Sequence, residues 1–126
     1  MEINSNRVVQ FEVLNNSLLS IAVEAWRFSR VYERLISKLY AREQKRFLSQ
    51  FRYFQKQLED KLSDAGYRLQ NLEGQTFDPG IAATAVNQSD FLPEDALIVE
   101  QMLEPVILNE NGIVKMGKVS LRKVKS

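Results

Sequence analysis

The chain has 126 residues and contains neither histidine nor cysteine. These two absences exclude imidazole and thiolate catalysis, disulfides and the common zinc and iron–sulfur ligand sets, so we expect a non-enzymatic protein without a metal or other cofactor. Its 17 basic and 16 acidic side chains almost cancel, but residues 1–70 carry a net charge of +4 and residues 71–126 a net charge of −3, which indicates two segments with different roles.

The beginning of the chain shows no targeting signal. Residues 1–4 lack the basic start and apolar core of a signal peptide. No apolar run approaches the roughly 18–20 residues that cross a bilayer. We therefore expect a cytoplasmic protein that does not enter a membrane. The next stretch, residues 8–14, fits either a strand or a helical lead-in.

A long helical segment follows. Residues 17–65 contain no glycine or proline, and their apolar side chains recur at alternating steps of three and four, as in a helix that packs against another helix. Residues 15–17 offer N-caps, and Gly66 is a C-terminal stop. We expect the apolar stripe to form a dimer contact through Leu18, Ile21, Phe28, Tyr32, Leu35, Leu39, Phe47, Phe51, Phe54 and Leu58.

Two arrangements would bury the apolar side chains of this stripe. One continuous helix of about 49 residues would be about 74 Å long at roughly 1.5 Å per residue. A helix of that length needs a partner chain to cover its apolar side chains, which predicts a parallel homodimer. The step of eight between Leu39 and Phe47 fits a local change of supercoil in such a helix or, alternatively, a reversal into a helical hairpin. We favour the continuous helix and the dimer.

Basic side chains follow the same segment and include Arg27 and Arg30. They fit a solvated helix face with local ion pairs, or a surface for an acidic protein partner. Nucleic acid is the least favoured partner, because its non-specific binding depends on phosphate neutralisation and the net charge is only +1.

The second segment has the pattern of a small β domain. Residues 97–99, 106–108 and 113–114 are short apolar runs of strand type, and Asn111-Gly112 is a hairpin signal between the last two runs. Val119 and Leu121 alternate with polar neighbours, as in a last strand with one solvated face. The predicted fold class is therefore α+β, with a helical coiled-coil or hairpin segment over residues 1–70 and a small all-β head over residues 71–126.

A turn stands near the start of the second segment. Gly74-Gln75-Thr76-Phe77-Asp78-Pro79 precedes Gly80, and proline and glycine in these places favour a tight turn. The order of features from Phe54 to Lys123 resembles the GrpE family, the nucleotide exchange factors of DnaK-type chaperones. The features are the helix end Asp64-Ala65-Gly66-Tyr67, the Gly-x-x-apolar-Asp-Pro turn, and residues Ala82, Ala85 and Val86 after it. The closing part contributes residues 98–102, Leu108, Gly112, Val114-Lys115 and residues 119–121.

The resemblance implies a cochaperone that works without covalent chemistry. In this family a dimer of long helices carries small β domains that grip the chaperone's ATPase domain and hold its nucleotide cleft open. The family's contacts fall on Phe77 and Pro79 at the turn and on Met102 and Leu121 in the last strands, with Arg27 and Arg30 as helix candidates. Phe77 and Leu121 fit a core position equally well, whereas Met102 and Pro79 fit exposed anchors. The alternative is a coiled-coil adaptor dimer that presents its β modules to another protein.

Overall fold

The computed structural model describes residues 5–125. Over that range two helices, α1 (Ser5–Ile36) and α2 (Ala41–Asp64), precede six strands. The strands are β1 (Arg68–Gln70), β2 (Ala83–Ala85), β3 (Leu97–Glu104), β4 (Val106–Asn109), β5 (Gly112–Lys115) and β6 (Gly117–Lys123). The predicted α+β class, a helical segment followed by a small β head, is confirmed. The chain divides between Leu58 and Glu59 into two compact units, so the last turns of α2 belong with the strands.

The continuous helix favoured from the sequence is wrong, and the hairpin is the observed solution. Side chains of Phe28 and Phe51 line one pocket, although they would lie about 35 Å apart on a single straight helix. The rings of Tyr32 and Phe47 meet edge to face with their centroids 6.5 Å apart. The second helix therefore folds back along the first.

The reversal is built without glycine or proline. The amides of Lys38 and Leu39 donate to carbonyls three residues earlier, at 3.1 and 3.0 Å, which tightens the last turn of α1. The amide nitrogen Nε2 of Gln44 then donates to the carbonyls of Ser37 and Leu39, at 3.1 and 2.8 Å. One side chain from α2 thus satisfies carbonyl groups that a helix end leaves without partners.

Of the two predicted helix ends, the N-terminal one is wrong and the C-terminal one is confirmed. Residues 15–17, expected as N-caps, lie inside α1, which also includes residues 8–14. Gly66 is the predicted stop and has a φ of +87°. The amide of Tyr67 donates to the Leu62 carbonyl at 2.8 Å, and the amide of Gly66 donates to the Ser63 carbonyl at 2.9 Å. This pair of bonds is a Schellman motif, which glycine favours because it adopts positive φ without strain.

The strands form two three-stranded sheets. In the first, β4 lies between β1 and β5 and is antiparallel to both. In the second, β6 lies between β2, its parallel neighbour, and β3, its antiparallel neighbour. The strands predicted at residues 97–99, 106–108 and 113–114 are confirmed. The hairpin between β4 and β5 turns at residues 110–111, and Gly112 after it has a φ of +122°.

The β unit has its core between these strands. Its most deeply buried apolar side chains are Val99, Met102, Val106, Ile107, Val119 and Leu121. On β6 the predicted alternation is confirmed, since Val119 and Leu121 are buried and Lys118 and Arg122 are exposed. A single buried residue, Pro105, separates β3 of one sheet from β4 of the other. The chain therefore passes between the sheets at a proline, which has no amide hydrogen to donate.

Candidate interaction surfaces

The β unit has an open groove beside the Asp78-Pro79 turn. Its volume is about 680 Å³. It is lined by Phe77, Asp78, Pro79, Ile81, Ala83, Gln88, Ser89, Phe91, Leu92, Pro93, Asp95, Leu97 and Met116. We call it the turn groove. Most of its lining is apolar, and within residues 5–125 the charged residues that line it are Asp78 and Asp95.

Residues 74–77 position one wall of the turn groove by pairing with the outer edge of β3. The amide of Gly74 donates to the Val99 carbonyl, and the amide of Phe77 donates to the Leu97 carbonyl, both at 2.9 Å. Immediately afterwards, the Oδ1 atom of Asp78 accepts the Gly80 amide at 2.9 Å. This Asx turn holds the backbone so that Phe77 and Pro79 both line the groove.

Asp95 fixes another part of the groove lining. Its Oδ2 atom accepts the Leu92 amide at 2.9 Å, and its Oδ1 atom lies 3.3 Å from the Nζ atom of Lys123. The Leu92 hydrogen bond and, to a smaller extent, the Lys123 ammonium hold the pKa of Asp95 below its ordinary value. The carboxylate therefore stays ionised at neutral pH and ties the 92–95 loop to the end of β6.

The four predicted chaperone contacts on the β unit separate into two pairs. Phe77 is half-buried and Pro79 is exposed, and both line the turn groove. Met102 and Leu121 are each 1% exposed and lie in the core. The expectation that Met102 is an exposed anchor is therefore wrong. For Leu121 the core reading is correct, and the alternation along β6 is the sequence signal that supports it.

The burial of Met102 has a cause that lies far away in the sequence. A Cβ atom on Gly117 would lie 2.6 Å from the Cε atom of Met102, so the missing side chain at residue 117 gives the methionine its space. Strand β6 brings these residues together by pairing Met102 with Val119. The sequence of β3 alone therefore does not indicate that Met102 is buried.

The two basic candidates on α1 make local contacts. Arg27 is exposed, and its Nη1 atom lies 3.2 Å from the Oε1 atom of Glu24. Arg30 lies 3.0 Å from Glu33, and its guanidinium carbon lies 5.3 Å from the centre of the buried Trp26 ring. Exposed pairs of this kind contribute about 0.2–1 kcal/mol to stability. Arg27 is accessible to a partner, whereas Arg30 is largely occupied within its own helix.

The predicted dimer residues lie on two kinds of surface. On α1 the apolar stripe is exposed at Leu18, Ile21, Phe28 and Leu35, whereas Tyr32 and nearby Leu39 are half-buried. On α2, Phe51 is buried, Phe47 and Leu58 are half-buried, and Phe54 is exposed. The hairpin thus uses part of the α2 stripe for its own packing and leaves the α1 stripe accessible.

The α1 stripe extends further than the sequence analysis placed it. Phe11 and Leu14 continue the steps of three and four toward the start of α1 and are 72% and 70% exposed. They were missed because the helix was expected to begin near Ser17. The exposed residues Phe11, Leu14, Leu18, Ile21, Phe28 and Leu35 form what we call the α1 seam. It extends over about 36 Å of helix.

A smaller apolar notch lies beside the α1 seam. It has a volume of about 260 Å³ and is lined by Phe28, Ser29, Tyr32, Gln50, Phe51 and Phe54. Ser29 is buried, and its hydroxyl donates to the Trp26 carbonyl at 2.7 Å. The small side chain of Ser29 leaves space between larger aromatic residues of both helices.

Two other common kinds of site are absent from residues 5–125. No group of histidine, cysteine, aspartate and glutamate side chains there is arranged to hold a metal ion. No helix in that part of the chain is both long and apolar enough to cross a membrane. In three comparisons, no protein-family model, curated protein or solved structure matched the chain. The GrpE resemblance therefore stays a prediction.

Proposed function

We propose that the chain is a non-enzymatic, GrpE-like nucleotide exchange factor that binds the ATPase domain of a DnaK-type chaperone. The observation that carries the proposal is that Phe77 and Pro79 line one open groove. The resemblance assigns the same two residues to chaperone contact. The order of elements, helices followed by a small β head, also agrees with the resemblance, although a hairpin stands in place of the family's single long helix. We also propose that the chain works in the cytoplasm, where its chaperone partner would be found.

The mechanism needs only a difference in affinity. A chain that binds the open nucleotide cleft more tightly than the closed cleft lowers nucleotide affinity by the same coupling free energy. A difference of about 4 kcal/mol would accelerate nucleotide release about a thousandfold if it appeared entirely in the off-rate. A shaped surface supplies this energy, so a chain without histidine or cysteine is sufficient.

The proposal includes a homodimer formed through the α1 seam. Exposed apolar patches of more than a few hundred Å² on soluble proteins usually mark interaction sites. The α1 seam offers several exposed leucine, isoleucine and phenylalanine side chains in a repeat typical of helix pairing. Two such chains would bring two β units to one assembly.

The test measures release of a fluorescent ADP analogue from DnaK-type ATPases of the same cell, by stopped flow. We expect the wild-type chain to accelerate release and Pro79→Glu to abolish the acceleration. Ile113→Glu is the matched control, because Ile113 is an exposed apolar residue of the other sheet and lies outside the turn groove. A folded wild-type chain that leaves every release rate unchanged would refute the exchange role.

A second candidate function is a dimeric adaptor for an unrelated protein. The observation that favours it is the burial of Met102 and Leu121, which removes two of the contacts implied by the resemblance. An adaptor leaves nucleotide release unchanged. It also loses avidity for its partner when the α1 seam is disrupted, because two linked sites bind more tightly than one.

A further inference from the structure

The turn groove combines exposed apolar side chains with negative charge. Leu92 and Met116 line it and are 59% and 43% exposed, and Pro79, which also lines it, is exposed. Water around such side chains is released when an apolar group of a partner enters the groove. The groove is therefore suited to at least one large apolar side chain.

The charges of the turn groove have one sign. Asp78 and Asp95 are its charged residues, and none of the described residues that line it is basic. Both oxygens of Asp95 are engaged, one by the Leu92 amide and one by Lys123. Asp78 differs, because only its Oδ1 atom has a partner among the described residues, the Gly80 amide. Its Oδ2 atom remains available to a cation from outside.

We propose that the turn groove binds a partner protein segment in which a large apolar side chain lies next to an arginine or lysine. The apolar side chain occupies the surface formed by Leu92 and Met116, and the basic side chain pairs with the Oδ2 atom of Asp78. The inference rests on the proposed function in taking this groove as the partner's site, and it specifies the chemistry of the segment that enters.

Charge beyond the groove favours the same occupant. Residues 71–126 carry a net charge of −3, which attracts a basic segment over several ångströms and repels an acidic one. Nucleotides and nucleic acids are disfavoured ligands here, because their phosphates would face the two lining carboxylates. An arginine is the better cation, since its planar guanidinium can donate to a carboxylate oxygen while its stem covers apolar surface.

The test uses the full chain and two fluorescein-labelled peptides of equal length, one alternating leucine with arginine and one alternating leucine with glutamate. Binding is measured by fluorescence polarisation. We expect the arginine peptide to bind at least about tenfold more tightly than the glutamate peptide, with the preference weakening as salt is raised. Equal binding of the two peptides, or binding of neither, overturns the proposal.

Asp78→Asn locates the interaction. The amide oxygen of asparagine can still accept the Gly80 amide, so the turn is retained while the charge is removed. We expect about fivefold weaker binding of the arginine peptide, equivalent to about 1 kcal/mol. Asp90→Asn is the matched control, since Asp90 is an exposed carboxylate of the segment between β2 and β3 and does not itself line the groove.

Equal weakening by Asp78→Asn and Asp90→Asn would show a general charge effect and overturn the assignment to the turn groove. The peptide measurement contains no chaperone and no nucleotide. A chain that selects the arginine peptide but does not accelerate nucleotide release refutes the exchange function and supports the groove assignment. The two failures are therefore distinguishable.

Discussion

The side chain of Asn87 makes both hydrogen bonds to the backbone of Leu121 that a neighbouring strand would make. Its Nδ2 atom donates to the Leu121 carbonyl at 3.0 Å, and its Oδ1 atom accepts the Leu121 amide at 2.8 Å. These two hydrogen bonds continue the parallel pairing of β2 with β6 by one further step along the chain. The preceding step is the hydrogen bond that the Val86 amide donates to the Val119 carbonyl. One amide side chain thus extends the short edge strand β2.

Asn87→Ala should lower the free energy of unfolding of the β unit by about 2 kcal/mol. The substitution removes two hydrogen bonds and leaves a donor and an acceptor of Leu121, a core residue, without partners. Urea denaturation followed by circular dichroism measures the loss. Asn111→Ala, at an exposed turn residue, is the control, and an equal effect of the two variants would contradict the role given to Asn87.

Gly117→Ala should lower the melting temperature through a loss of about 1–3 kcal/mol. An added Cβ atom would lie 3.0 Å from the carbonyl oxygen of Glu104 and 3.1 Å from the Cγ2 atom of buried Val106, besides the close approach to Met102. Calorimetry measures the shift. Gly80→Ala is the control, because its Cβ atom would meet only Asp78, at 3.4 Å. Similar shifts for both variants would refute the packing argument.

Ile21→Glu should convert the proposed dimer into monomers. Ile21 lies in the α1 seam and is 66% exposed, so a carboxylate there leaves the folded monomer intact but must lose water in a helix–helix contact. Sedimentation equilibrium gives the mass. Val13→Glu is the matched variant, because Val13 is an exposed apolar residue of α1 outside the seam. A wild-type chain that remains monomeric at high concentration would refute the dimer.

Asp95→Asn should remove the pH-dependent contribution that the ionised Asp95 carboxylate makes to the free energy of unfolding. A carboxyl group whose pKa is lowered on folding stabilises the fold above its ordinary value of 3.8, and this contribution disappears as pH falls through the folded-state pKa. The wild type should therefore exceed the variant in urea midpoint near neutral pH, and the gap should close below about pH 3.8. A gap that persists in acid would show that the charge of Asp95 is irrelevant.

The helical hairpin illustrates what this sequence leaves unspecified. The step of eight between Leu39 and Phe47 fits either a change of supercoil or a reversal, and the absence of glycine and proline favoured a continuous helix. The stop depends on the side chain of Gln44 reaching back to two carbonyls. Glutamine is an ordinary helix former, so its identity does not distinguish this arrangement from a solvated helix position.

The β unit was easier to predict, because its signals are local. Gly66 specifies the helix stop, because glycine favours the positive φ that the stop requires. The apolar runs between Val106 and Val114, with a turn signal between them, specify the hairpin. Phe77 and Pro79, which line the turn groove, were singled out because the resemblance places partner contacts at this local turn. Met102 was misplaced because its burial depends on Gly117, which belongs to another strand. Packing between distant residues is not encoded in any one stretch of chain.

Pro105 has a consequence for how the β unit opens. It is the only residue between β3 of one sheet and β4 of the other, and its side chain is fully buried. Fraying of either sheet therefore displaces a residue that anchors both. Amides on β3 and β4 should exchange with solvent deuterium at similar rates, through one cooperative opening rather than two separate ones.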